Sequence, residues 1–246
     1  MVTIDVEVPT SDGAAGASLH APEGSGPWPA VIMYPDAGGT RPVFRQMGDR
    51  LAAQGYVVLV PDIYYRAGGY EPFEMSTVFS DPDERQRLGV LAGSLTSARV
   101  AQDAVAFADF LDGRPEVTTG VLGTTGYCLG GRISLTVAGQ LGARIGAAAS
   151  IHGGRLAVEE DLESPHHLAG AVRAVVYVAG AENDPSFGDD QADRLHEAYR
   201  AAGVDHTIER YPAAHGFAVA DNPTYDEPAA ERHWTALSAL YASALR

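Results

Sequence analysis

The chain's one cysteine, Cys128, lies in Gly126-Tyr127-Cys128-Leu129-Gly130-Gly131, between an apolar run at 121–127 and a helical stretch at 129–141. Strand, G-x-C-x-G-G and helix, in that order, form the kind of sharp turn that exposes a nucleophile, with cysteine standing where serine is common. The glycines answer a steric need: at so tight a turn, side chains at 126 and 130 would collide with the strand and the helix. A helix starting just beyond Cys128 would direct its N-terminal dipole at the sulfur, favouring a thiolate and supporting an oxyanion. Elsewhere a lone cysteine is most often a small buried hydrophobe.

A nucleophilic cysteine needs a base, and the base an orienting acid. Asp184 stands in Ala179-Gly-Ala-Glu-Asn-Asp184-Pro, just past a run ending at Ala179, and His215 in Tyr211-Pro-Ala-Ala-His215-Gly-Phe217, just past a run ending at Tyr211. Both are therefore expected on the sheet edge that carries Cys128. Glu182 is a nearby rival for the acid, and Asn-Asp-Pro is also a strong turn signal. Among the other histidines, His152 precedes a Gly-Gly turn, and His166 and His167 would point apart in an extended loop, so these read as structural or solvent-facing. No histidine pair has the i, i+4 helical spacing of a metal site, and no metal is expected.

Stretches at 3–8 and 18–21, around the turn signal Ser11-Asp12-Gly13, read as an antiparallel hairpin. The mostly apolar runs at 30–34, 56–60, 121–127, 147–151, 174–179 and 206–211 read as strands buried on both faces. Between them, helical patterns cover 43–53, 97–111, 129–141, 191–202 and 229–245; Val100, Ala104, Phe107 and Leu111 recur at the spacing of a helix lying on a sheet. Alternating strand and helix predicts an α/β fold, a mostly parallel sheet covered on both faces, in a single domain over 1–246. The longest irregular segment, 64–96, is rich in Gly, Pro, Asp and Arg and is expected to act as a lid or binding loop.

Composition narrows the chemistry. The 246 residues carry 17 basic and 32 acidic side chains, a net charge of -15, which disfavours nucleic acid and anionic membrane surfaces as partners. Every basic residue is arginine, so Schiff-base chemistry and a phosphate-loop lysine are excluded. A single cysteine allows no intrachain disulfide, and with no basic-then-apolar leader and no run of the ~20 residues needed to span a bilayer, a cytoplasmic protein is expected.

Taken together, Gly126-Tyr-Cys128-Leu-Gly130-Gly131, Tyr56-Val-Val-Leu-Val-Pro61-Asp62-Ile-Tyr64-Tyr65-Arg66, Ala179-Gly-Ala-Glu-Asn-Asp184 and Tyr211-Pro-Ala-Ala-His215-Gly-Phe217 resemble the dienelactone hydrolase family of α/β-hydrolases over nearly the whole chain. The resemblance implies a Cys128-Asp184-His215 triad hydrolysing an enol lactone or related ester, a small molecule, without metal or organic cofactor. Thioester or general carboxylester hydrolysis, and a non-catalytic binding protein on the same fold, are the alternatives. The oxyanion is expected on the backbone N–H groups of Leu129 and Ala37. Tyr34, Asp36 and Phe217 are expected to border or modulate the pocket. Family members carry glutamate where Asp36 stands, and serine and a carboxylate-gripping arginine where Gly216 and Val219 stand. Among Arg66, Arg85, Arg87 and Arg99, Arg66, directly after Pro61-Asp-Ile-Tyr-Tyr at the end of a parallel strand, is the first choice to clamp a substrate carboxylate, the plain alternative being arginines solvated or paired with Asp81, Asp83 and Glu84. Oligomeric state is not legible in the sequence.

Overall fold

The computed structural model describes residues 1–245; Arg246, the last residue of the expected domain, lies outside them. Strands β1 (Val2–Thr10), β2 (Gly13–Ala21), β3 (Ala30–Tyr34), β4 (Val57–Pro61), β5 (Leu122–Tyr127), β6 (Ile145–Ile151), β7 (Val175–Ala181) and β8 (His206–Tyr211) form one sheet in the order β1-β2-β4-β3-β5-β6-β7-β8. β1 and β2 pair as the expected antiparallel hairpin, β2 joins β4 antiparallel, and all further pairings are parallel. The expected strands and helices are present, with ends moved by a few residues. The largest change is β2, which extends to Gly13 because the hairpin turn at Ser11-Asp12 is as tight as the ladder allows.

The period-two alternation of side chains divides the core into two layers. In β3, Ile32 and Tyr34 face one side with α3 (Ser97–Asp112) and α4 (Leu129–Leu141), while Val31 and Met33 face the other with α1 (Pro42–Ala52) and α6 (Glu227–Ala244). α5 (Asp189–Ala202) adds Leu195 and Tyr199 to the first layer. Among the described residues no helix is long and apolar enough to cross a membrane.

The segment expected to be irregular over 64–96 contains a helix, α2 (Pro82–Gly93). Its start was written in the sequence: Asp81 accepts from the N–H groups of Asp83 and Glu84, Pro82 opens the first turn, and acidic residues follow. Its body gave no periodic signal because only Leu88 is buried. Leu88 joins Phe73, Met75 and Val78 in a small apolar cluster against which Ala37 and Tyr70 pack, so this segment sits on the loop that follows β3.

The burial of α3 can be checked from its two faces. Phe107 is 1% exposed and Val105 44%; Phe107→Ala should cost about 3–5 kcal/mol and Val105→Ala no more than about 0.5 kcal/mol in urea unfolding.

Candidate active site

β5 ends and α4 begins at a single residue. Cys128 caps α4 with φ 53°, a left-handed conformation that a non-glycine residue adopts only when its surroundings compel it. Its N–H donates to the Ile151 carbonyl at 3.0 Å, pinning the turn to the end of β6. A Cβ on Gly126 would collide with the Gly130 carbonyl, and one on Gly130 with the carbonyls of Tyr34 and Pro35. The first turn of α4 therefore touches the loop leaving β3, which brings Leu129 and Ala37 into one neighbourhood. As the first residue of α4, Leu129 has an N–H without an acceptor inside the helix.

Asp184 and His215 follow β7 and β8 and meet across the top of the sheet: His215 Nδ1 lies 2.6 Å from Asp184 Oδ2. Asp184 Oδ1 accepts from the Ser186 N–H at 2.9 Å and the Ser186 hydroxyl at 2.6 Å. Burial opposes the ionised Asp184 carboxylate, but His215 and Ser186 outweigh it and hold the group below the usual carboxylate range. With Nδ1 on Asp184, the ring's other side faces Cys128. Burial disfavours the imidazolium, yet the hydrogen bonds and charges of Asp184 and Cys128 prevail, and the His215 pKa is pushed up to about 10. Glu182, the rival acid, makes no such contact; its N–H donates to the Tyr211 carbonyl.

The remaining expected residues fare differently. The ring of Tyr34 is buried among Ile63, Val100, Phe107 and Ile133, because its position in β3 points it to the α3 side. Asp36 is close but engaged, accepting from Arg41 Nη1 at 2.7 Å, Arg41 Nη2 at 2.9 Å and the Gly38 N–H at 2.8 Å. Arg66 is no carboxylate clamp as it stands; it forms a fork with Asp103 at 2.7 and 2.8 Å and donates Nε to Asp12 at 2.7 Å. Those carboxylates lie on α3 and the hairpin turn and could not be seen as neighbours in the sequence. Phe217 is fully buried, stacked on Tyr211 at 5.1 Å, and supports the His215 loop from below.

Two further residues lie against this centre. Tyr64 donates its hydroxyl to the Ala37 carbonyl at 2.9 Å. Burial first, then the charges of Tyr70, Asp36 and Cys128, push its pKa up, so it remains a donor. Its signal was the Pro61-Asp62-Ile-Tyr64 run at the C-terminal end of β4, on the same edge as the nucleophile turn. His152, read as structural or solvent-facing, is buried at the end of β6, its ring 5.2 Å from that of His215 and 5.1 Å from Phe217. Burial, then the neighbouring His215 and His233, hold His152 neutral with a pKa well below the ordinary value. Among the described residues no cluster of three or more His, Cys, Asp or Glu could hold a metal ion.

An eight-stranded, mostly parallel sheet with an antiparallel leading hairpin and a strand-to-helix turn at Cys128 is an α/β-hydrolase fold. The chain belongs to the dienelactone hydrolase family, whose pattern it matches over residues 15–245, and with it to the carboxylic ester hydrolases. A Methylorubrum extorquens protein named "Putative carboxymethylenebutenolidase" is 28% identical over 240 residues, covering 96% of this chain and 79% of that protein. The crystal structure titled "Putative Dienelactone Hydrolase" from Klebsiella pneumoniae superimposes with a TM-score of 0.84 at 26% identity, covering 98% of each chain. That of a dienelactone hydrolase-like promiscuous phosphotriesterase from metagenomic libraries gives 0.79 at 25% identity, covering 100% of each.

The His215–Asp184 pair makes a titration prediction. Because its folded pKa is raised, His215 stabilises the fold fully below about pH 6.5 and loses that contribution as pH rises through about 10. By NMR, the His215 imidazole should stay protonated well above pH 8 in the native protein and titrate at markedly lower pH in Asp184→Asn. Identical titrations would mean that the carboxylate does not govern the ring.

Proposed function

We propose that this protein hydrolyses a carboxylic ester or lactone through an acyl-enzyme on Cys128. The observation that carries this reading is the 2.6 Å contact between His215 Nδ1 and Asp184, with Cys128 on the other side of the ring and at the N-terminus of α4. Asp184 favours His215 as imidazolium, so the ring can hold the proton that leaves Cys128 as the sulfur attacks. The sulfur adds to the carbonyl carbon, and the oxyanion is received by the N–H groups of Leu129 and Ala37. As the carbon–oxygen bond breaks, His215 gives its proton to the departing alkoxide; in a lactone that alkoxide stays tethered to the acyl group. His215, now neutral, takes a proton from water, whose hydroxide attacks the thioester and releases the carboxylic acid and the Cys128 thiolate.

The substrate on this reading is uncharged around the reacting carbonyl. Arg41 before α1, Arg66 after β4 and Arg132 on α4 are already paired: Arg41 with Asp36 and Asp221, Arg66 with Asp103 and Asp12, and Arg132 with Asp161. The net charge of -15 adds a long-range penalty for anions. Phe73, Met75, Val78 and Leu88, packed on Ala37, offer an apolar covering beside the oxyanion loop, so the segment at 64–96 serves as a lid.

Two measurements test this. Cys128→Ala should lower kcat on activated short-chain esters by at least roughly 10³-fold while the protein stays folded, and a slow ester should leave an acyl adduct on Cys128 in the native protein by mass spectrometry. Turnover that survived Cys128→Ala would exclude the cysteine mechanism. For a neutral ester and a carboxylate-bearing ester of equal size, kcat/KM should favour the neutral one by about tenfold or more; a preference for the acid would exclude the uncharged class.

A further inference from the structure

Arg41 stands at the entrance to α1, and its guanidinium is used to capacity. Nε donates to Asp221 Oδ2 at 2.9 Å, Nη2 to Asp221 Oδ1 at 3.1 Å and Asp36 Oδ2 at 2.9 Å, and Nη1 to Asp36 Oδ1 at 2.7 Å and the Gly39 carbonyl at 3.2 Å. All five donors of an arginine are thus occupied. The side chains of Arg41 and Asp36 are each 4% exposed, whereas that of Asp221 is 39% exposed. The loop wraps the group so closely that a Cβ on Gly38 would strike the guanidinium.

The two carboxylates belong to different parts of the candidate site. Asp36 precedes Ala37 on the loop after β3, and Asp221 lies on the loop after β8 that carries His215. The His215 loop has anchors of its own: the Thr224 hydroxyl donates to the His215 carbonyl at 2.5 Å, and the Asp226 N–H donates to the Phe217 carbonyl at 3.0 Å. The Ala37 loop is tied by polar contacts to Tyr64, to Tyr70 at Thr40 and, across to the His215 loop, through Arg41, while Phe73, Met75, Val78 and Leu88 pack on Ala37. We propose that Arg41 is a positioning residue that ties the oxyanion-hole loop to the His215 loop and so fixes the Ala37 N–H relative to the base. The inference rests on the hydrolase reading above.

Two physical arguments favour a geometric purpose over simple stabilisation. Removing a guanidinium and its carboxylates from water costs about as much as their attraction returns, so such a group is a poor way to gain stability. Its planar fork does fix two carboxylates in one orientation, which a flexible ammonium cannot do. The oxyanion hole is the part of such a site most sensitive to small displacements, since its donors must meet charge that exists only in the transition state.

The test separates the oxyanion hole from the nucleophile. Alkylation of Cys128 by iodoacetamide needs the thiolate and its base but develops no oxyanion, whereas ester turnover needs all three. Asp221→Ala cuts the outer half of the tie and leaves the buried Arg41–Asp36 fork in place. It should lower kcat on a neutral ester by about tenfold, with KM and the alkylation rate within about twofold of the native protein. Arg41→Lys should give the same split, and Asp221→Asn a smaller loss. An unchanged kcat in Asp221→Ala would overturn the inference, as would a parallel fall of kcat and alkylation, which would mean that the residue acts through the thiol and its base or through general loosening. A native protein inactive on every ester would remove the hydrolase reading and this inference with it; an active one with an unaffected Asp221→Ala removes the inference alone.

Discussion

Everything at the top of this sheet is arranged around one backbone conformation, the left-handed turn at Cys128. The chain passes from a buried strand to a buried helix within a single residue, an arrangement that costs of order 1–3 kcal/mol at a non-glycine position. That cost is offset by what surrounds it: a hydrogen bond to the end of β6 and close approach of α4 to the loop after β3, which the missing side chains of Gly126 and Gly130 permit. The same close approach sets the unpaired amides of the α4 N-terminus beside the sulfur. Strain, helix dipole and neighbouring loop are therefore consequences of one local geometry.

Three histidines near this turn show how far environment overrides residue type. His215, joined to Asp184 and Cys128, is pushed up to about 10. His233 on α6, fully buried with Nε2 3.3 Å from the Tyr127 hydroxyl, is driven down to about 3, chiefly by desolvation. His152 lies between them, neutral, with its ring against both His215 and Tyr127. A proton in this cluster is thus favoured on one ring and resisted on the other two, which suits the ring joined to the carboxylate for handling it.

The arginines follow a related logic. In a chain with nearly twice as many acidic as basic side chains, a cation finds a carboxylate wherever the fold brings one near. Arg41 and Arg66 both end in two-carboxylate arrangements. The pairing of Arg66 fixes the start of the covering segment to the hairpin and α3, and that of Arg41 joins two loops that belong to different strands. Positive charge here serves mainly to hold acidic pieces of the protein together.

The sequence alone determined the alternation of strands and helices, the leading hairpin, and the order of Cys128, Asp184 and His215 at strand ends, because hydrophobic period and glycine spacing are local properties. It also carried the start of α2 in Asp81-Pro82-Asp83-Glu84, although the exposed body of that helix has no apolar stripe to extend the signal. Contacts across the fold were beyond its reach. Whether Tyr34 faced the thiol depended on which layer its β3 position addressed. Whether Asp36 and Arg66 were free depended on partners at 41, 12 and 103. The burial of His152 against His215 and the bridge from Arg41 to Asp221 join positions far apart in the chain. Only tertiary packing decides such pairings, because the desolvation and charge that make them favourable arise only once the elements have come together.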